Sequence, residues 1–461
     1  MKDRIRRLEI FNLYDYQGVE EHLSAMAAKG WRLEKANNSL WTYRRTAPAQ
    51  VRYAVTYSPE LSQFDPGPTE GQARLEDLCE AAGWEKVCDW LQMQIFSTEA
   101  KDPVPLETDE ALRLENIHQT VKKHFYPANL VLLVLALVMI ASWANSLVRT
   151  PIRVLGNNSR LFSGLMFLIL VIMLLVNLGA YWLWRRRSLR SVEAGGNCVR
   201  LGPGYRRAAA VFLALVALLA VGYVLTSFWT AQGGYAVYFL TYIALFTLLT
   251  LAVHGTKNLL KRQGVSRGKN MAATLAVDFL LALVLVGGLT WAAVHFEWFT
   301  GGRGETYVYQ NQEWDVHPAD LPLTAAELTG RPVEHSSRNV WREGSVFLAD
   351  RRYWETALVD GELYFLSYEI WEPRFAWLRE ALLEGILNER RPAAIPGMTR
   401  SYVPEDPAPW GAEAVWRRYL GESPSDTWLL AWPDRVAEVR LDNIPPTAAE
   451  METAGRLLRE G

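Results

Sequence analysis

The chain contains little cysteine, and one long region is almost free of acidic residues. Its three cysteines are Cys79, Cys88 and Cys198. Residues 297–461 contain none, so that region is not a fold held together by disulfides. Residues 127–296 contain 15 basic residues but only 2 acidic ones. Such a region does not have the mixed-charge surface of a soluble domain.

The chain also lacks the short motifs of common hydrolases and metalloenzymes. Neither G-x-S-x-G nor H-E-x-x-H occurs in it. His317 and His335 are 18 residues apart and no second pair of ligands accompanies them, which argues against a metal site. We therefore expect a protein that is not an enzyme and that needs no cofactor or metal.

Long hydrophobic runs, in contrast, are abundant. Five segments are each close to the roughly 20 residues that an α-helix needs to cross the hydrocarbon core of a membrane. They are Pro127–Val148, Leu161–Trp184, Ala208–Trp229, Tyr235–His254 and Ala272–Phe296. We predict a multi-pass α-helical membrane protein with these five transmembrane helices. An odd number of helices places the flanking regions on opposite sides of the membrane.

The basic residues of the loops predict the orientation, because short cytoplasmic loops are enriched in lysine and arginine. The loop after the second segment has seven arginines and one acid, and the loop after the fourth has five basic residues. The loop after the first has three, and the loop after the third has none. Met1–Leu8 is charged and does not resemble a secretory signal peptide. We predict a cell-membrane protein with a cytoplasmic N-terminus and an extracytoplasmic C-terminus.

The net charge is unevenly divided along the chain. It is −4 over residues 1–126, +13 over residues 127–296 and −11 over residues 297–461. Nucleic-acid binding usually needs a basic domain, so the charge of the N-terminal region argues against it. The partners we expect are the lipid bilayer and a cytoplasmic protein or small-molecule effector. Nothing in the sequence identifies an external ligand.

Residues 1–97 show the order strand, helix, strand, strand twice, which predicts a duplicated α+β domain on the cytoplasmic side. The first round consists of an extended stretch, a helix and two strands: Leu8–Leu13, Gly18–Lys29, Trp31–Lys35 and Leu40–Arg44. The second round has the corresponding elements at Val51–Tyr57, Glu70–Ala82, Trp84–Cys88 and Gln92–Phe96. Gly30 and Gly83 stand at equivalent helix ends.

Three tryptophans of this domain are candidates for a ligand or partner cleft. They are Trp31, Trp41 and Trp84, which lie in the predicted strands or at their starts. Duplicated domains of some bacterial regulators bind small molecules between their halves, an analogy made at the level of the fold. The alternative is that these indoles pack in the core.

The spacing of residues near the N-terminus carries a family resemblance. The pattern is Asp15-x-x-Gly18-x-Glu20-x-x-Leu23-x-x-Met26-Ala27-x-Lys29-Gly30-Trp31-x-Leu33, followed later by Gly83-Trp84-Glu85-x-Val87. Over roughly residues 1–125 it resembles the uncharacterised DUF2812 family of Gram-positive bacterial membrane proteins, which are often encoded beside PadR-type regulators. The resemblance implies a membrane location and suggests a regulatory context. It implies no activity and no site.

Residues 98–126 predict a linker followed by an amphipathic junction helix. Pro103 and Pro105 are typical of a linker, and Thr108 or Asp109 can cap the helix. One face is formed by Ala111, Leu114, either Ile117 or His118, Val121 and Phe125, and is mostly apolar. The opposite face is charged: Arg113, Glu115, Lys122 and Lys123. The helix either lies against the domain or the lipid headgroups, or acts as a rigid connector that carries motion.

Residues 297–461 predict an extracytoplasmic α+β domain. Helices are expected at Arg374–Asn388 and Ala448–Leu458. Strands are expected at Thr306–Gln310, Ser345–Ala349, Tyr353–Leu358, Glu362–Ile370, Ala414–Tyr419, Thr427–Trp432 and Val436–Leu441.

Asp278 is the one acidic residue within a predicted membrane segment, and intramembrane charges often mark transport paths. It can belong to an ion or proton path, or pair at the interface with Arg267 or Lys269. No pair of broken segments typical of inverted-repeat transporters appears. We therefore predict a non-enzymatic signalling, regulatory or scaffolding protein that links an external sensing domain to a cytoplasmic binding domain. The alternative is a transporter or transport-accessory subunit.

Overall fold

The computed structural model has five long apolar helices, with a β-sheet region before them and another after them. It describes residues 3–37, 39–229, 233–296, 305–309, 312–316, 320–388, 400–442 and 446–461. His317 and Gln310, both considered above, lie outside these ranges. The chain divides into two compact units: the first comprises Met1–Ile140, Met166–Leu218 and Phe246–Val284, and the second comprises Ala141–Leu165, Leu219–Leu245 and Leu285–Gly461.

The N-terminal domain, in the first unit, contains two small antiparallel sheets. Its first half consists of β1 (Arg4–Leu8), α1 (Tyr16–Ala28), β2 (Trp31–Asn37) and β3 (Leu40–Arg45). Its second half consists of β4 (Arg52–Tyr57), α2 (Glu70–Ala81), β5 (Glu85–Trp90) and β6 (Met93–Thr98). The strand orders are β1-β3-β2 and β4-β6-β5. The halves therefore share both element order and strand order, while their origin by duplication stays a prediction.

One predicted strand of this domain is misplaced. The first strand ends at Leu8 and pairs with β3, so the extended stretch predicted at Leu8–Leu13 is not a strand. Leu13 and Tyr14 are instead buried in the domain core from an irregular segment. The apolar residues there reflect the packing of a loop, which composition alone does not distinguish from a strand.

The junction helix is continuous with the first membrane helix. It begins with α3 (Glu110–Thr120), passes through one π-helical turn (Val121–Phe125) and continues as α4 (Tyr126–Arg149). The Asp109 carboxylate caps α3 by accepting hydrogen bonds from the N–H groups of Ala111 and Leu112, at 2.9 and 3.0 Å.

The other predicted membrane segments are observed as α6 (Asn158–Glu193), α7 (Pro203–Trp229), α8 (Gly233–Arg262) and α9 (Arg267–His295). With the helix that contains α4, five helices in the described part of the chain are long and apolar enough to cross a membrane. Many of their large apolar side chains are exposed, among them Leu218, Phe279 and Val294. A helix satisfies its own backbone polar groups and can therefore lie in lipid. The exposed apolar side chains of these helices would then face the hydrocarbon.

The C-terminal domain, in the second unit, is built on a nine-stranded sheet in the order β12-β13-β14-β15-β11-β10-β9-β8-β7. Its strands are β7 (Glu305–Tyr309), β8 (Gln312–Val316), β9 (His335–Gly344), β10 (Leu348–Val359), β11 (Glu362–Pro373), β12 (Arg400–Glu405), β13 (Ala414–Leu420), β14 (Ser423–Ala431) and β15 (Val436–Asp442). Its helices are α10 (Ala325–Thr329), α11 (Ala376–Leu387) and α12 (Ala448–Glu460). The pairing of β8 with β9 is parallel and the other pairings are antiparallel.

Each face of this sheet carries a core, because successive residues of a strand point to opposite faces. One core contains Trp410, Trp428 and Trp432 together with residues of α12. The other contains Trp371 and Leu429, covered by α11 and by the short helix α5 (Pro151–Leu155) that follows α4.

Six of the seven strands predicted for this domain overlap observed strands, and one is largely misplaced. Of the strand predicted at Ser345–Ala349, the first three residues form a reversal between β9 and β10, and β10 begins at Leu348. In this reversal the Ser345 N–H donates to the Leu348 carbonyl at 2.9 Å. The strands β8, β9 and β12 were not predicted. Their sequences, such as that of His335–Gly344, are mostly polar and lack the apolar alternation by which a strand is recognised.

Candidate functional site

A group of charged and aromatic side chains joins the N-terminal domain to the junction helix and to the segment after α6. We call it the junction cluster, and all its members belong to the first unit. Its residues are Tyr16, Gln17, Glu20 and Glu21 of α1, Glu107, Glu110 and Arg113 in or near α3, and Cys198 and Arg200.

Arg113 lies at the centre of this cluster. Its Nε is 2.7 Å from the Glu107 carboxylate, its Nη1 pairs with Glu110, and its Nη2 donates to the Glu107 carbonyl at 3.1 Å. Its guanidinium lies 5.0 Å from the centre of the Tyr16 ring. Only 14% of the side chain is exposed. The sequence pattern places Arg113 on the charged face of the junction helix, and at this position that face is largely buried. Two carboxylates and an aromatic ring compensate the burial of its charge.

Glu110 ties the junction helix to the loop after α6. Its Oε2 accepts a hydrogen bond from the backbone N–H of Cys198 at 3.0 Å and a longer one from the Tyr16 hydroxyl at 3.4 Å. The Gln17 side-chain amide donates to the carbonyl of Cys198 at 3.2 Å, and Arg200 pairs with Glu21. These contacts bring α1, α3 and this loop together.

Glu20 is a largely buried carboxyl group at the edge of the cluster. Its Oε1 accepts a hydrogen bond from the backbone N–H of Val55 at 2.9 Å. Burial raises its pKa to about 7, and the nearby charges of Glu107 and Glu110 raise it while Arg113 lowers it. Burial also raises the pKa of Glu107. Glu20 therefore changes charge near neutral pH.

Aromatic residues of α6 pack next to the cluster. Tyr181 is fully buried, and its hydroxyl lies 3.0 Å from Nδ1 of His118 on α3. Its ring and that of Trp184 lie 5.1 and 5.0 Å from the ring of Tyr14 in the N-terminal domain. The Trp184 indole also donates to the Val199 carbonyl at 2.7 Å. The second membrane helix is thus packed into the core of the N-terminal domain.

The chemistry of the cluster is that of ion pairing and hydrogen bonding. Cys198 is buried, and its burial raises the pKa of its thiol to about 12, so it is not a reactive thiolate at neutral pH. Within the described ranges, no group of three or more histidine, cysteine or acidic residues could hold a metal ion. The arrangement can hold elements together and can respond to the protonation of a carboxylate.

The three candidate tryptophans are not brought together. Trp41 is fully buried in the main core of the N-terminal domain, where its ring lies 5.1 Å from that of Trp90. Trp84 belongs to a separate small core and donates to the Val104 carbonyl at 2.8 Å. Trp31 is half-buried under the guanidinium of Arg45, at 5.9 Å. Their surroundings favour the packing role.

Asp278 is half-buried on α9. Among the residues that the structure describes, it has no hydrogen-bond or ion-pair partner. Arg267, considered above as its partner, lies instead 3.9 Å from the carboxylate of Asp65 and donates to the Glu60 carbonyl at 3.3 Å.

The carboxylates of the junction cluster are not among the site residues predicted from the sequence. Glu20 gave a signal, because it lies four residues after Tyr16 and three before Leu23, on the buried side of α1. Glu110 gave a weak signal, because it lies three residues before Arg113 on the predicted helix. Its bond to Cys198 could not be predicted, because that bond forms only where α3 meets the loop after α6, and Glu107 gave no signal.

This architecture is that of a multi-pass membrane protein with β-sheet domains before and after its helices. Residues 15–128 match the model of a family described as protein of unknown function (DUF2812), which confirms the resemblance over that segment. The match runs from the cap of α1 into the start of α4, and so includes the junction helix and most of the cluster. No curated protein and no solved structure matches the chain significantly.

Proposed function

We propose that the protein is a non-enzymatic signalling or scaffolding protein of the cell membrane, in which membrane helices and a cytoplasmic binding domain move together. The observation that carries this proposal is the helix formed by residues 110–149. Its first part supplies Leu114, Ile117 and Val121 to the core of the N-terminal domain. Its second part is a helix able to span a membrane.

Continuity makes this helix a mechanical link. A shift or rotation of α4 must displace the buried side chains Leu114 and Ile117 of α3 or distort the π-helical turn, which contains Val121. Cores are packed too densely to absorb such displacement gradually. Single π-helical turns are rare and frequently lie at functional sites. The junction therefore favours a rigid connector.

The contacts of α6 supply a second link to the same domain. Tyr181 and Trp184 pack against Tyr14, and the loop after α6 is held by Glu110 and Gln17. Relative movement of the ends of α4 and α6 would therefore change the contacts within the junction cluster.

The distribution of basic loops supports a cytoplasmic N-terminal domain. The stretches that follow the predicted membrane segments Leu161–Trp184 and Tyr235–His254, residues 185–207 and 255–271, are the two richest in lysine and arginine, and both belong to the first unit with this domain. Short loops with this excess of basic residues are typical of the cytoplasmic side.

Cysteine labelling on intact cells tests this orientation. The native cysteines Cys79, Cys88 and Cys198 are first replaced by alanine, and Glu80→Cys or Glu422→Cys then introduces a single reporter at an exposed position. We expect a membrane-impermeant maleimide to label the reporter at position 422 and to reach position 80 only after the cells are opened. The reverse pattern would show that the N-terminal domain lies outside.

The functional test uses the full chain in its membrane. Crosslinking and mass spectrometry identify what binds the N-terminal domain, with and without the C-terminal domain. One variant carries a four-residue Gly-Ser insertion after Thr120, which interrupts the connector, and its control carries the same insertion after Ala100. We expect removal of the C-terminal domain to change the captured partners in the control but not in the interrupted variant. Identical partner sets throughout would refute the coupling.

A transport role has one observation in its favour, the position of Asp278 in a helix able to span a membrane, without a partner in the described part of the chain. The substitution Asp278→Asn removes its charge with little change of volume. If transport is the function, this variant loses a flux or resistance phenotype that Asp278→Glu retains. A neutral result for Asp278→Asn removes the basis for this alternative.

A further inference from the structure

The second unit contains a cavity of about 360 Å³ that the function proposed above does not use. It lies where the end of α4 and α5 meet α11 and the β12 side of the sheet. We call it the arginine cavity, because four of its lining residues are arginines: Arg149, Arg153, Arg400 and Arg418. Two carboxylates, Glu369 and Glu438, also line it.

The charges around this cavity are not balanced. Arg418 pairs with Glu438 at 3.2 Å, and Glu369 pairs with Arg352 at 2.8 Å. Arg149, Arg153 and Arg400 have no carboxylate partner among the residues that the structure describes. Since guanidinium groups remain charged at any pH that proteins encounter, the lining residues that the structure describes carry an excess of positive charge.

The unsatisfied groups at this cavity are all hydrogen-bond donors. Trp371 lines it with only 5% of its surface exposed, and its indole N–H is buried without an acceptor in the described part of the chain. The Nε atoms of Arg400 and Arg418 are likewise buried without an acceptor. Buried donors without acceptors are costly. A ligand that satisfies them must supply acceptors and negative charge.

The sheet holds part of this lining in place. Arg418 donates to the Thr427 hydroxyl at 2.7 Å as well as to Glu438, so two bonds fix its guanidinium while its Nε stays unused. Tyr402, on the neighbouring strand, pairs directly with Arg418 in the sheet register and donates to Glu438. The site is thus preorganised before a ligand arrives.

We propose that the arginine cavity binds a phosphate group. Arginine forks match the oxygens of phosphate, and the indole N–H supplies a further donor. Arg149 is the last residue of a helix able to span a membrane, so the phosphate can belong to a lipid headgroup or to a soluble phosphate compound. This inference stands independently of the proposed coupling between membrane and N-terminal domain.

The test uses the purified full chain, first in detergent and then in nanodiscs of phosphatidylcholine with or without phosphatidylglycerol. Inorganic phosphate is the soluble probe, and its binding is measured by the shift in the melting temperature of the protein. Native mass spectrometry counts the phospholipids retained from nanodiscs. The variants are Arg400→Gln, which removes the guanidinium charge and its terminal N–H groups, Trp371→Phe, which removes the indole N–H, and Arg400→Lys, which keeps the charge. The control is Arg342→Gln, an exposed arginine of β9 outside the cavity.

We expect about tenfold weaker phosphate binding or a matching loss of retained lipid in Arg400→Gln and Trp371→Phe. The control should behave as the wild type, and Arg400→Lys should keep part of the binding. A response to inorganic phosphate indicates a soluble ligand, whereas lipid retention without that response indicates a headgroup. The proposal is overturned if the wild type shows neither, or if the cavity variants and the control bind equally.

Discussion

The Glu110 carboxylate accepts a hydrogen bond from the backbone N–H of Cys198 at 3.0 Å, across 88 positions of sequence. The bond joins the junction helix to the loop after the second membrane helix. The same carboxylate pairs with Arg113. One side chain therefore connects two membrane helices to the N-terminal domain, and its removal should loosen both connections.

Glu110→Ala is expected to destabilise the junction locally by about 1–3 kcal/mol, because it leaves a backbone donor and part of a buried guanidinium unpaired. Hydrogen–deuterium exchange of the full chain should show faster exchange in residues 110–120 and 196–202. The matched control is Glu115→Ala, an exposed residue of the same helix. Equal exchange in both variants would show that the cluster does not hold the junction.

Glu20 makes the stability of the N-terminal domain depend on pH. Its pKa is raised to about 7 in the folded protein from an ordinary 4.5, so the folded state keeps a proton that the unfolded state has lost. The contribution of Glu20 to the stability of the folded domain is fully present below pH 4.5 and is lost as the pH rises through about 7. The charged groups around Glu20 are Arg113, Glu107 and Glu110.

Glu20→Gln should therefore stabilise the domain above pH 7 and flatten its pH dependence between pH 5 and 7. The amide oxygen of glutamine can still accept the hydrogen bond from the Val55 N–H. Hydrogen exchange in α1 and β4 measures this stabilisation at each pH. The variant is compared with the wild type and with Glu80→Gln, a substitution at an exposed residue of α2. Unchanged protection above pH 7 would mean that Glu20 is not buried as an acid.

Gly30 and Gly83 end equivalent helices, but their surroundings differ. Both have positive φ, +81° and +84°. A Cβ at Gly30 would lie 2.8 Å from the Thr46 carbonyl oxygen, whereas a Cβ at Gly83 would meet nothing within 4 Å. Backbone strain should lower the free energy of unfolding by about 1–2 kcal/mol in each alanine variant. Gly30→Ala should lose more stability than Gly83→Ala, because its Cβ also meets the Thr46 carbonyl oxygen. Thermal unfolding of the two purified variants checks this order, and equal losses would contradict the close approach.

The features that depend on local composition and on the periodicity of hydrophobic residues were predicted well from the sequence. Five apolar segments gave five helices, since a long run without charge has few alternatives to burial in lipid. The glycine at position 30 marked a helix end because it adopts positive φ without strain. Both signals are local, so neither requires knowledge of the tertiary fold.

The features it did not predict depend on partners distant in sequence. The burial of Arg113 is one example, because arginine is rarely buried without compensation. Glu107 and Glu110 are close to it in sequence, but the ring of Tyr16 reaches it only in the folded domain. The arginine cavity likewise unites Arg149 with Arg400, which no local pattern connects. Polar strands such as β9 were missed because sheet pairing, rather than apolar alternation, defines them.

Glu369 should make anion binding in the arginine cavity depend on pH. Burial, with Asp350 nearby, raises its pKa to about 8, and Arg352 opposes this rise. The other charged or titratable groups around it are Glu438, Arg418, Arg400, Tyr402, Arg149 and Arg153. Below pH 8 a protonated Glu369 leaves the cavity more positive, so binding of an anion should weaken as the pH rises through 8 and Glu369 becomes negative.

Sulfate is the appropriate probe for this prediction, because its charge stays constant over the range whereas that of phosphate changes near neutral pH. Isothermal titration of the purified chain between pH 6.5 and 9.5 should show weakening in the wild type and a flatter profile in Glu369→Gln. Glu422→Gln, an exposed residue between β13 and β14, should keep the wild-type profile. A pH profile that persists in Glu369→Gln would assign the titration to another group, because glutamine cannot acquire the negative charge that repels the anion.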